Sequence, residues 1–381
     1  MSRPRLTILI VSTEFPPGPG GIGYHAFSLA KALTHKFEIS VICNADYTDL
    51  SRTSRFDESC GFRITRFKRY GRFTQINRIL QFVVLTLKEK PDLIIYTGLF
   101  SLWLMNFGIH NSRVKKVAIV HGHEPIFGNS RIKRLTRFSF KRADFFIPVS
   151  NFSKSNLENN FKLKPNQLTK IIPNGLDLEY LRSWSDRALS SKEAVQVLNG
   201  FPRLLTVGHT SPRKGQHNVI SALPHIKEAF PDVMYYIVGR DVNNKSLYQL
   251  AEDLGVSANV RFLPPVSEHS SLHEYYENSD IFMLLSENQP NGDVEGFGIV
   301  ALEANYFGLP VIGAMGCGVE DAVRDGFSGF LVDAKNPKEI SDNVQTILEN
   351  ADKFSENAKK FALDFGWDEI VKKYEEILCA E

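Results

Sequence analysis

The sequence predicts an α/β protein made of two doubly wound, Rossmann-like domains. The chain has 381 residues, which is long for one hydrophobic core and suits two domains. Strand-like and helix-like segments alternate along both halves of the chain. Several strand-like segments are continuous apolar runs, which are typical of parallel strands in a sheet that is covered on both faces. Helices that alternate with parallel strands of this kind indicate a doubly wound α/β fold in each half.

The predicted strands occur in both halves. In the first half they cover residues 6–11, 38–43, 93–96, 116–120 and 145–149. In the second half they cover residues 203–207, 233–238, 260–263, 281–285, 310–313 and 329–332. Helical patterns such as residues 24–33 and 218–229 lie between them. The longest apolar run, residues 93–109, is interrupted by polar residues, so it predicts a strand followed by a helix rather than a membrane span.

The domain boundaries follow from composition. Residues 1–180 are predicted to form the first domain and residues 200–366 the second. The stretch 177–200 is rich in serine and charge and is predicted to be the linker. A last helix is predicted over residues 368–379, after Gly366 and Trp367.

The composition excludes several classes of protein. Hydrophobic residues make up 43% of the chain and charged residues 23%, which is ordinary for a globular protein. The four cysteines show no paired spacing, which argues against a zinc site or a disulfide framework and fits a reducing cytoplasm. The apolar stretch 6–11 is too short for the core of a signal peptide and is better explained as a buried strand.

Charge is distributed very unevenly along the chain. Residues 1–190 hold 29 Lys and Arg against 14 Asp and Glu, a net of +15, whereas residues 191–381 have a net of −13. Much of the basic charge lies in residues 63–78, among aromatic side chains, and in residues 131–142, where apolar residues recur at helical spacing. Such segments bind anionic membrane surfaces, although each alone is equally well explained as a solvated helix face. No recognisable nucleic-acid-binding module accompanies the charge, so nucleic acid is not expected as a partner.

The strongest chemical signal lies in residues 293–304, which read Asp-Val-Glu-Gly-Phe-Gly-Ile-Val-Ala-Leu-Glu-Ala. A helix is predicted from Ile299 to Phe307, so Gly296, Phe297 and Gly298 stand at its start. Free N–H groups and the positive end of the helix dipole at this point predict an anion site. Two glutamates beside a phosphate site suit a nucleotide sugar, with one carboxylate for sugar hydroxyls and one for ribose hydroxyls. Two solvated glutamates on a helix are the alternative.

These residues resemble motifs of the retaining GT-B-fold glycosyltransferases, specifically of glycosyltransferase family 4. Glu295 and Glu303 match the E-x7-E pattern of that family. Five further blocks occur in the family's order and span nearly all of the chain, at residues 20–23, 121–124, 172–177, 207–215 and 316–320.

The resemblance implies a GT-B fold, in which two Rossmann-like domains face each other across a cleft and the C-terminal helix (residues 367–381) crosses back to the first domain. The donor, a nucleotide-diphosphate sugar, is then expected in the second domain and the acceptor in the first. The catalytic residues that it implies are His121, Lys214 and Glu295. Donor contacts are implied for Gly20, Gly21, Gly208, His209, Arg213, Lys214, Arg261, Phe262, Leu263, Glu295, Gly296, Phe297, Gly298 and Glu303. Acceptor contacts are implied for Gly23, His123 and Glu124.

The chain departs from the family pattern at one position. Family members usually pair the lysine corresponding to Lys214 with an arginine five residues earlier, where this chain has His209. Arg213 is one candidate for the missing charge beside the leaving diphosphate, and a protonated His209 is the other. The chain has no D-x-D motif, so neither an essential metal nor another cofactor is expected.

The resemblance also implies the class of reaction and of substrate. It implies transfer with retention of anomeric configuration, through displacement on the same face of the sugar. The blocks at residues 20–21, 121–124 and 212–215 look most like those of the lipid, phosphatidylinositol-type mannosyltransferases. They favour GDP-mannose as donor and a lipid-linked or sugar acceptor, with UDP-glucose and UDP-N-acetylglucosamine left open. The expected location is cytoplasmic, with peripheral contact to the inner face of the membrane.

Two other functions remain as alternatives. Residues 18–23 satisfy G-x-G-x-x-G between a strand and a helix, and Asp46 lies near the end of the next strand, which is the pattern of an NAD-dependent oxidoreductase. Residues 12–17 separate that glycine run from the strand end, and the pattern leaves Glu295 and Glu303 unexplained. The second alternative is a non-catalytic protein that binds a nucleotide sugar.

Overall fold

The computed structural model describes residues 5–18, 20–45, 50–68, 70–108, 114–188, 197–240, 243–266 and 269–379. The chain divides into two compact units, residues 1–175 with 367–381, and residues 176–366. Each unit contains one parallel sheet, with seven strands in the first and six in the second. The prediction of two doubly wound α/β domains is therefore confirmed.

The first unit is built on a sheet with the order β3-β2-β1-β4-β5-β6-β7. Its strands are β1 (Thr7–Ser12), β2 (Glu38–Asn44), β3 (Arg63–Phe67), β4 (Leu93–Thr97), β5 (Lys115–Val120), β6 (Phe145–Pro148) and β7 (Leu168–Thr169). Its helices before the second unit are α1 (Gly21–Leu33), α2 (Leu50–Glu58), α3 (Thr74–Glu89), α4 (Leu99–Leu104), α5 (Ser130–Phe140) and α6 (Asn151–Asn160).

The strand order decides which helices share a face of this sheet. The chain moves outward from β1 to β3, returns to β4 beside β1, and then continues in the other direction to β7. Because parallel crossovers are right-handed, α1 and α2 cover one face, and α3, α4 and α5 cover the other. Phe82 of α3, Leu102 of α4 and Phe140 of α5 accordingly belong to one buried apolar cluster.

The second unit is built on a sheet with the order β10-β9-β8-β11-β12-β13. Its strands are β8 (Arg203–Val207), β9 (Met234–Val238), β10 (Val260–Leu263), β11 (Ile281–Leu284), β12 (Val311–Ala314) and β13 (Gly329–Val332). Its helices are α7 (Leu178–Ala188), α8 (Gln216–Ala229), α9 (Asn244–Asp253), α10 (His269–Glu277), α11 (Ile299–Tyr306), α12 (Pro337–Glu349) and α13 (Ala351–Leu363). The strand order reverses between β8 and β11, and ligands of such sheets bind beyond the carboxyl ends of the strands at this point.

The last helix, α14 (Trp367–Leu378), packs on the first unit. Tyr374 Oη lies 3.2 Å from Nε2 of the buried His25 in α1. At the surface, Lys170 Nζ lies 2.6 Å from Glu376 Oε2. The chain thus leaves the first unit at Gly175 and returns to it at Trp367.

The structure differs from the sequence prediction in three places. Strand β7 was not predicted, because its two residues are too few to give a pattern. Strand β3 was not predicted, because it lies at the edge of the sheet and carries Arg63 and Arg66 between its apolar residues. The stretch 177–200 was expected to be a linker, but α7 begins it, and Trp184 of this helix stacks on Phe307 with ring centroids 5.7 Å apart. The exposed Glu179 and Arg182 of α7 concealed its buried face.

The longest apolar run is divided between β4 and α4, as the sequence predicts. Among the helices of the described ranges, none combines the length and the apolar character needed to cross a bilayer.

Candidate active site

A sharp turn after β8 sets the position of the cationic side chains. Gly208, with φ 146°, ends the strand, and residues Pro212–Lys214 form a 3-10 turn. Gly215 then starts α8 with φ 70°, and a Cβ atom at this position would lie 1.7 Å from the carbonyl oxygen of Leu285. Only glycine permits this approach. The turn therefore closes on the end of β11, where the loop to Glu295 begins.

Glu295 is the centre of a cluster of charged side chains. Its Oε2 atom accepts a hydrogen bond of 2.7 Å from Lys214 Nζ and another from Arg213. Arg213 Nε also lies 3.0 Å from Asp293 Oδ1. The side chains of Arg213, Lys214 and Glu295 are between 11% and 15% exposed, so the cluster is largely screened from solvent.

The protonation state of Glu295 follows from these contacts. Burial alone would raise its pKa, but the charges of Lys214 and Arg213 outweigh burial and lower the pKa to about 2. Glu295 is therefore ionised at neutral pH, and it neutralises one of the two cations. An incoming diphosphate would compete with Glu295 for the same donors.

The glycines around Glu295 form a tightly packed start to α11. Gly298 is the N-cap of this helix, with φ 83°, and no side chain of the described residues caps it. Gly318 donates its N–H to the carbonyl oxygen of Glu295 at 2.8 Å. A Cβ atom at Gly318 would lie 2.1 Å from the carbonyl carbon of Gly296. The glycines in the block at residues 316–320 thus support the turn that carries Glu295 at the start of α11, which has no side-chain cap among the described residues.

Glu303 lies within α11, more than one turn beyond its start. Its Oε2 atom accepts a hydrogen bond of 3.1 Å from Tyr276 Oη of α10. Burial is the largest effect on its pKa, and the hydrogen bond from Tyr276 and the charge of Lys214 offset it only in part, so the pKa is raised to about 7. Tyr276 was not identified from the sequence, and a residue 27 positions away offers no pattern that could have revealed it.

His209 stands among the cations of the same turn. Burial lowers its pKa, and Lys214, Arg213 and Arg240 lower it further, while Glu295 opposes them. His209 is therefore neutral near pH 7, which disfavours a protonated His209 as the missing charge. Arg213, which already contacts Glu295, is the residue that we expect to supply it.

Residues 261–263, predicted to lie near the nucleotide base, form most of strand β10 at the edge of the sheet. Leu263 is buried, Arg261 is exposed, and the Phe262 ring lies 4.2 Å from that of Tyr248. Strands β9 and β8 separate β10 from β11. The structure therefore does not bring these residues to the Glu295 cluster, and their contact with a base stays a prediction.

In the first unit, the glycines at residues 20–23 form the start of α1. Gly20 has φ 138°, and a Cβ atom there would lie 2.0 Å from Glu14 Oε2. Gly23 is packed on the backbone of Phe15, and Gly21 has open space around it. Burial raises the pKa of Glu14, although the charge of His123 and a hydrogen bond from the backbone of Gly23 oppose the change. Glu14 was not predicted from the sequence, and its carboxylate occupies the start of α1 that an anion would otherwise use.

His121 and Glu124 hold each other in place after β5. Glu124 is fully buried and accepts the backbone N–H of His121 at 2.9 Å and 3.1 Å. The His121 Nε2 atom lies 2.8 Å from Thr97 Oγ1, and its ring is 5.3 Å from that of His25. Burial lowers the pKa of His121 to about 3, more than the charge of Glu124 raises it, so this histidine is neutral.

His123 is the more accessible member of this block, with 23% of its side chain exposed. Its Nδ1 atom lies 3.8 Å from Glu124 Oε2. Of the three residues expected to contact the acceptor, Gly23 and Glu124 are buried, so His123 alone presents a side chain to a ligand. Acceptor contacts by these residues stay a prediction.

The geometry does not favour the dinucleotide-binding alternative. Strand β1 ends at Ser12 and α1 begins at Gly21, so the chain makes a long excursion where that fold has a tight turn. Asp46, the acidic residue of that pattern, lies outside the described residues.

Comparison with known proteins agrees with this architecture. Residues 19–180 match the family model described as Glycosyltransferase Family 4, and residues 190–361 match the model described as Glycosyl transferases group 1. The two matches follow each other along the chain and together cover most of it.

Curated relatives extend over nearly the whole chain. The GDP-mannose-dependent alpha-(1-6)-phosphatidylinositol monomannoside mannosyltransferase of Mycolicibacterium smegmatis is 26% identical over 347 residues, which is 90% of this chain and 89% of the relative. The GDP-mannose-dependent monoacylated alpha-(1-6)-phosphatidylinositol monomannoside mannosyltransferase of Corynebacterium glutamicum is also 26% identical, over 92% of this chain and 90% of the relative. The D-inositol 3-phosphate glycosyltransferase of Geodermatophilus obscurus is 28% identical over a match that covers 68% of this chain and 57% of the relative.

Solved structures show the same fold. Anabaena Alr3699/HepE in complex with UDP superimposes with a TM-score of 0.75 at 24% identity, covering 98% of this chain and 99% of that one. Sucrose-phosphate synthase from Thermosynechococcus elongatus gives a TM-score of 0.76 at 19% identity, with 98% of each chain covered. With its two parallel sheets and its two family matches, the chain belongs to the GT-B-fold glycosyltransferases of family 4.

Proposed function

We propose that this protein transfers a hexose from a nucleotide-diphosphate sugar to a hydroxyl acceptor with retention of anomeric configuration. The observation that carries the proposal is the cluster of Lys214, Arg213 and Glu295 beside the glycine-capped start of α11. Two cations and a helix N-terminus form an anion site, and the adjoining carboxylates supply acceptors for hydroxyl groups. No essential metal is part of the proposal, because these cations supply the positive charge that a leaving diphosphate needs.

The predicted site residues of the second unit, apart from His209, have the following roles in this proposal. Lys214 and Arg213 neutralise the diphosphate, and Glu295 accepts hydrogen bonds from the sugar hydroxyls. Glu303, beside Tyr276, accepts those of the ribose. Gly208 and residues 296–298, which lack bulky side chains at their glycines, let the backbone come close to the phosphates, while residues 261–263 offer backbone contacts to the base. Preorganised charges at the leaving group are the largest contribution that we expect to the rate.

The proposed reaction needs no nucleophile from the protein. The bond between the anomeric carbon and the phosphate oxygen breaks, and its electron pair leaves with the diphosphate. The acceptor oxygen bonds to the anomeric carbon on the same face of the sugar, and its proton passes to the leaving phosphate oxygen. Donor contacts by His121, Gly20 and Gly21 are part of the proposal, and His121 is neutral and held by Thr97. At the acceptor, His123 supplies the contacting side chain, whereas the buried Glu124 holds His121 and Gly23 packs on the backbone of Phe15.

GDP-mannose is the donor that we propose, with a membrane lipid as acceptor. Support comes from the two relatives that cover about nine tenths of this chain, both named as GDP-mannose-dependent enzymes that act on phosphatidylinositol monomannosides. The strong positive charge of residues 1–190 supports a cytoplasmic location with peripheral contact to an anionic membrane surface.

The test is transfer of labelled sugar by the purified protein. Equal concentrations of GDP-mannose, UDP-glucose and UDP-N-acetylglucosamine are offered with a bacterial lipid extract, and the products are separated by chromatography. We expect a mannosylated lipid with an α linkage, as determined by NMR of the anomeric proton. Transfer from a UDP sugar alone would refute the proposed donor. Donor binding with neither transfer nor hydrolysis would point instead to a non-catalytic binding protein.

A further inference from the structure

Helix α3 and the residue before it carry an apolar stripe on the surface. Phe73, Ile76, Leu80, Val84 and Leu87 are between 55% and 62% exposed. They recur every three or four residues, so they share one side of the helix. Phe82 and Thr86, on the opposite side, are fully buried in the first unit. Soluble proteins expose single apolar side chains commonly, but a continuous stripe of five marks a contact surface.

The charges around this apolar stripe are almost all positive. Arg63, Lys68 and Arg72 precede the helix and are exposed, and Lys88 and Lys90 lie at its end. The nearest acidic residue, Glu89, is only 10% exposed and is paired with Arg63 at 2.7 Å. The stripe is thus bordered at both ends by cations. It is about 21 Å long, at roughly 1.5 Å per residue.

Helix α5 extends the same surface. Trp103 Nε1 donates to Thr136 Oγ1 at 3.0 Å and Asn106 Nδ2 to Ser139 Oγ at 2.7 Å, so α5 is fixed to the α4 region. Arg78 of α3 lies over the Phe100 ring of α4, with 6.0 Å to the ring centroid. The three helices therefore form one layer. On α5, Leu135 and Phe138 are exposed among Arg131, Arg134, Arg137 and Lys141.

We propose that this face is a docking surface for an anionic lipid bilayer, with the apolar stripe of α3 entering the headgroup region and the cations of α5 and of the stripe ends binding lipid phosphates. A helix with an apolar side and flanking basic residues lies in the plane of such an interface. A second copy of this chain is a poorer occupant, because both ends of the stripe would bring cations against cations. The sequence alone drew attention to the charge of residues 63–78 and 131–142, whereas exposure identifies α3 as the apolar component.

The proposal deepens the proposed function, since it names the surface that meets the acceptor membrane, but its test needs neither donor nor acceptor. The full-length protein is sedimented with vesicles of phosphatidylcholine alone and with an equimolar mixture of phosphatidylglycerol and phosphatidylcholine. The test variant is Leu80→Ser/Val84→Ser/Leu87→Ser. The matched control is Leu168→Ser/Leu254→Ser/Leu363→Ser, which removes three exposed leucines elsewhere.

We expect the wild type and the control to bind the anionic vesicles and to retain part of that binding at high salt. The α3 variant should lose about tenfold or more in partition coefficient at both salt concentrations, because three apolar side chains no longer enter the bilayer. Arg131→Ser/Lys133→Ser/Arg134→Ser/Arg137→Ser should lose binding chiefly at low salt, where charge is least screened. In Val84→Trp, tryptophan fluorescence should shift to the blue on addition of anionic vesicles.

Three results would overturn the proposal. They are equal vesicle binding by the α3 variant and the control, no fluorescence shift in Val84→Trp, and a wild-type dimer in light scattering that the α3 variant alone dissociates. Circular dichroism of every variant checks that the fold is kept. Vesicle binding without sugar transfer would contradict only the proposed function, and transfer without vesicle binding would contradict only this surface.

Discussion

Replacing Glu303 with glutamine should make the protein more stable at alkaline pH while weakening the binding of nucleotide. The two effects have different causes. Burial raises the pKa of Glu303 to about 7, so the folded protein must hold a poorly solvated negative charge above this pH. Glutamine has nearly the same shape, keeps an oxygen for the hydrogen bond from Tyr276, and carries no charge at any pH.

The size and sign of the effect on stability follow from linkage. Between its ordinary pKa of 4.5 and the folded value of about 7, the folded protein retains a proton that the unfolded chain releases. The free energy of unfolding therefore falls as pH rises through this range; the contribution is fully present below 4.5 and lost above 7. At about 1.36 kcal/mol for each pH unit, the total loss is about 3 kcal/mol.

Urea denaturation at about pH 5 and about pH 8 measures this difference. The wild type should lose up to about 3 kcal/mol between the two conditions beyond what Glu303→Gln loses. Glu252→Gln, which changes an exposed glutamate of α9, serves as the matched control and should follow the wild type. By calorimetry, GDP should bind Glu303→Gln about tenfold more weakly, because a charged acceptor for the ribose is lost. An identical pH dependence in wild type and variant would refute the assignment of a high pKa to Glu303, and unchanged GDP affinity would refute its role at the ribose.

Four further predictions concern the same unit. Glu295→Gln and Lys214→Ala should each lower kcat by about a hundredfold or more in initial-rate assays. Asp293→Asn, which removes an exposed partner of Arg213, should lower kcat by less than about tenfold. Equal losses of kcat in all three variants would contradict the central place of Glu295. Because burial and neighbouring cations lower the pKa of His209, His209→Gln should leave the pH profile of kcat between about pH 7 and about pH 9 unchanged, and a lost ionisation in that range would show that the imidazolium takes part. Gly318→Ala should lower the midpoint of thermal unfolding by several degrees, since its Cβ would meet the backbone of Gly296 at 2.1 Å, and an unchanged midpoint would mean that this turn relaxes freely. Treatment with EDTA followed by desalting should leave the rate of sugar transfer unaltered, and recovery of a lost rate by added Mg²⁺ or Mn²⁺ would reveal a metal requirement.

The local sequence was sufficient where a short, mostly apolar run stands between turn residues. Strands β8, β10 and β13 have the bounds that the apolar runs predict. Strand β3 and the amphipathic helix α7 were missed, because charged residues alternate with their apolar ones, as is equally common in loops. Such a segment is equally well solvated as a loop or as a regular element. Only its packing against the sheet or a neighbouring helix selects the regular element.

The sequence by itself determined the alternating α/β pattern and the motifs around Glu295, since both depend on residues close together in the chain. It also assigned the excess of positive charge to the first half. Tertiary structure decided that Lys214 binds Glu295 from 81 positions away and that Tyr276 donates to Glu303. It also decided that the side of α3 bearing Leu80 and Val84 faces solvent while Phe82 is buried. An apolar residue on a helix has the same sequence pattern whether its side is covered or exposed, and the difference depends on which elements the strand order places against it.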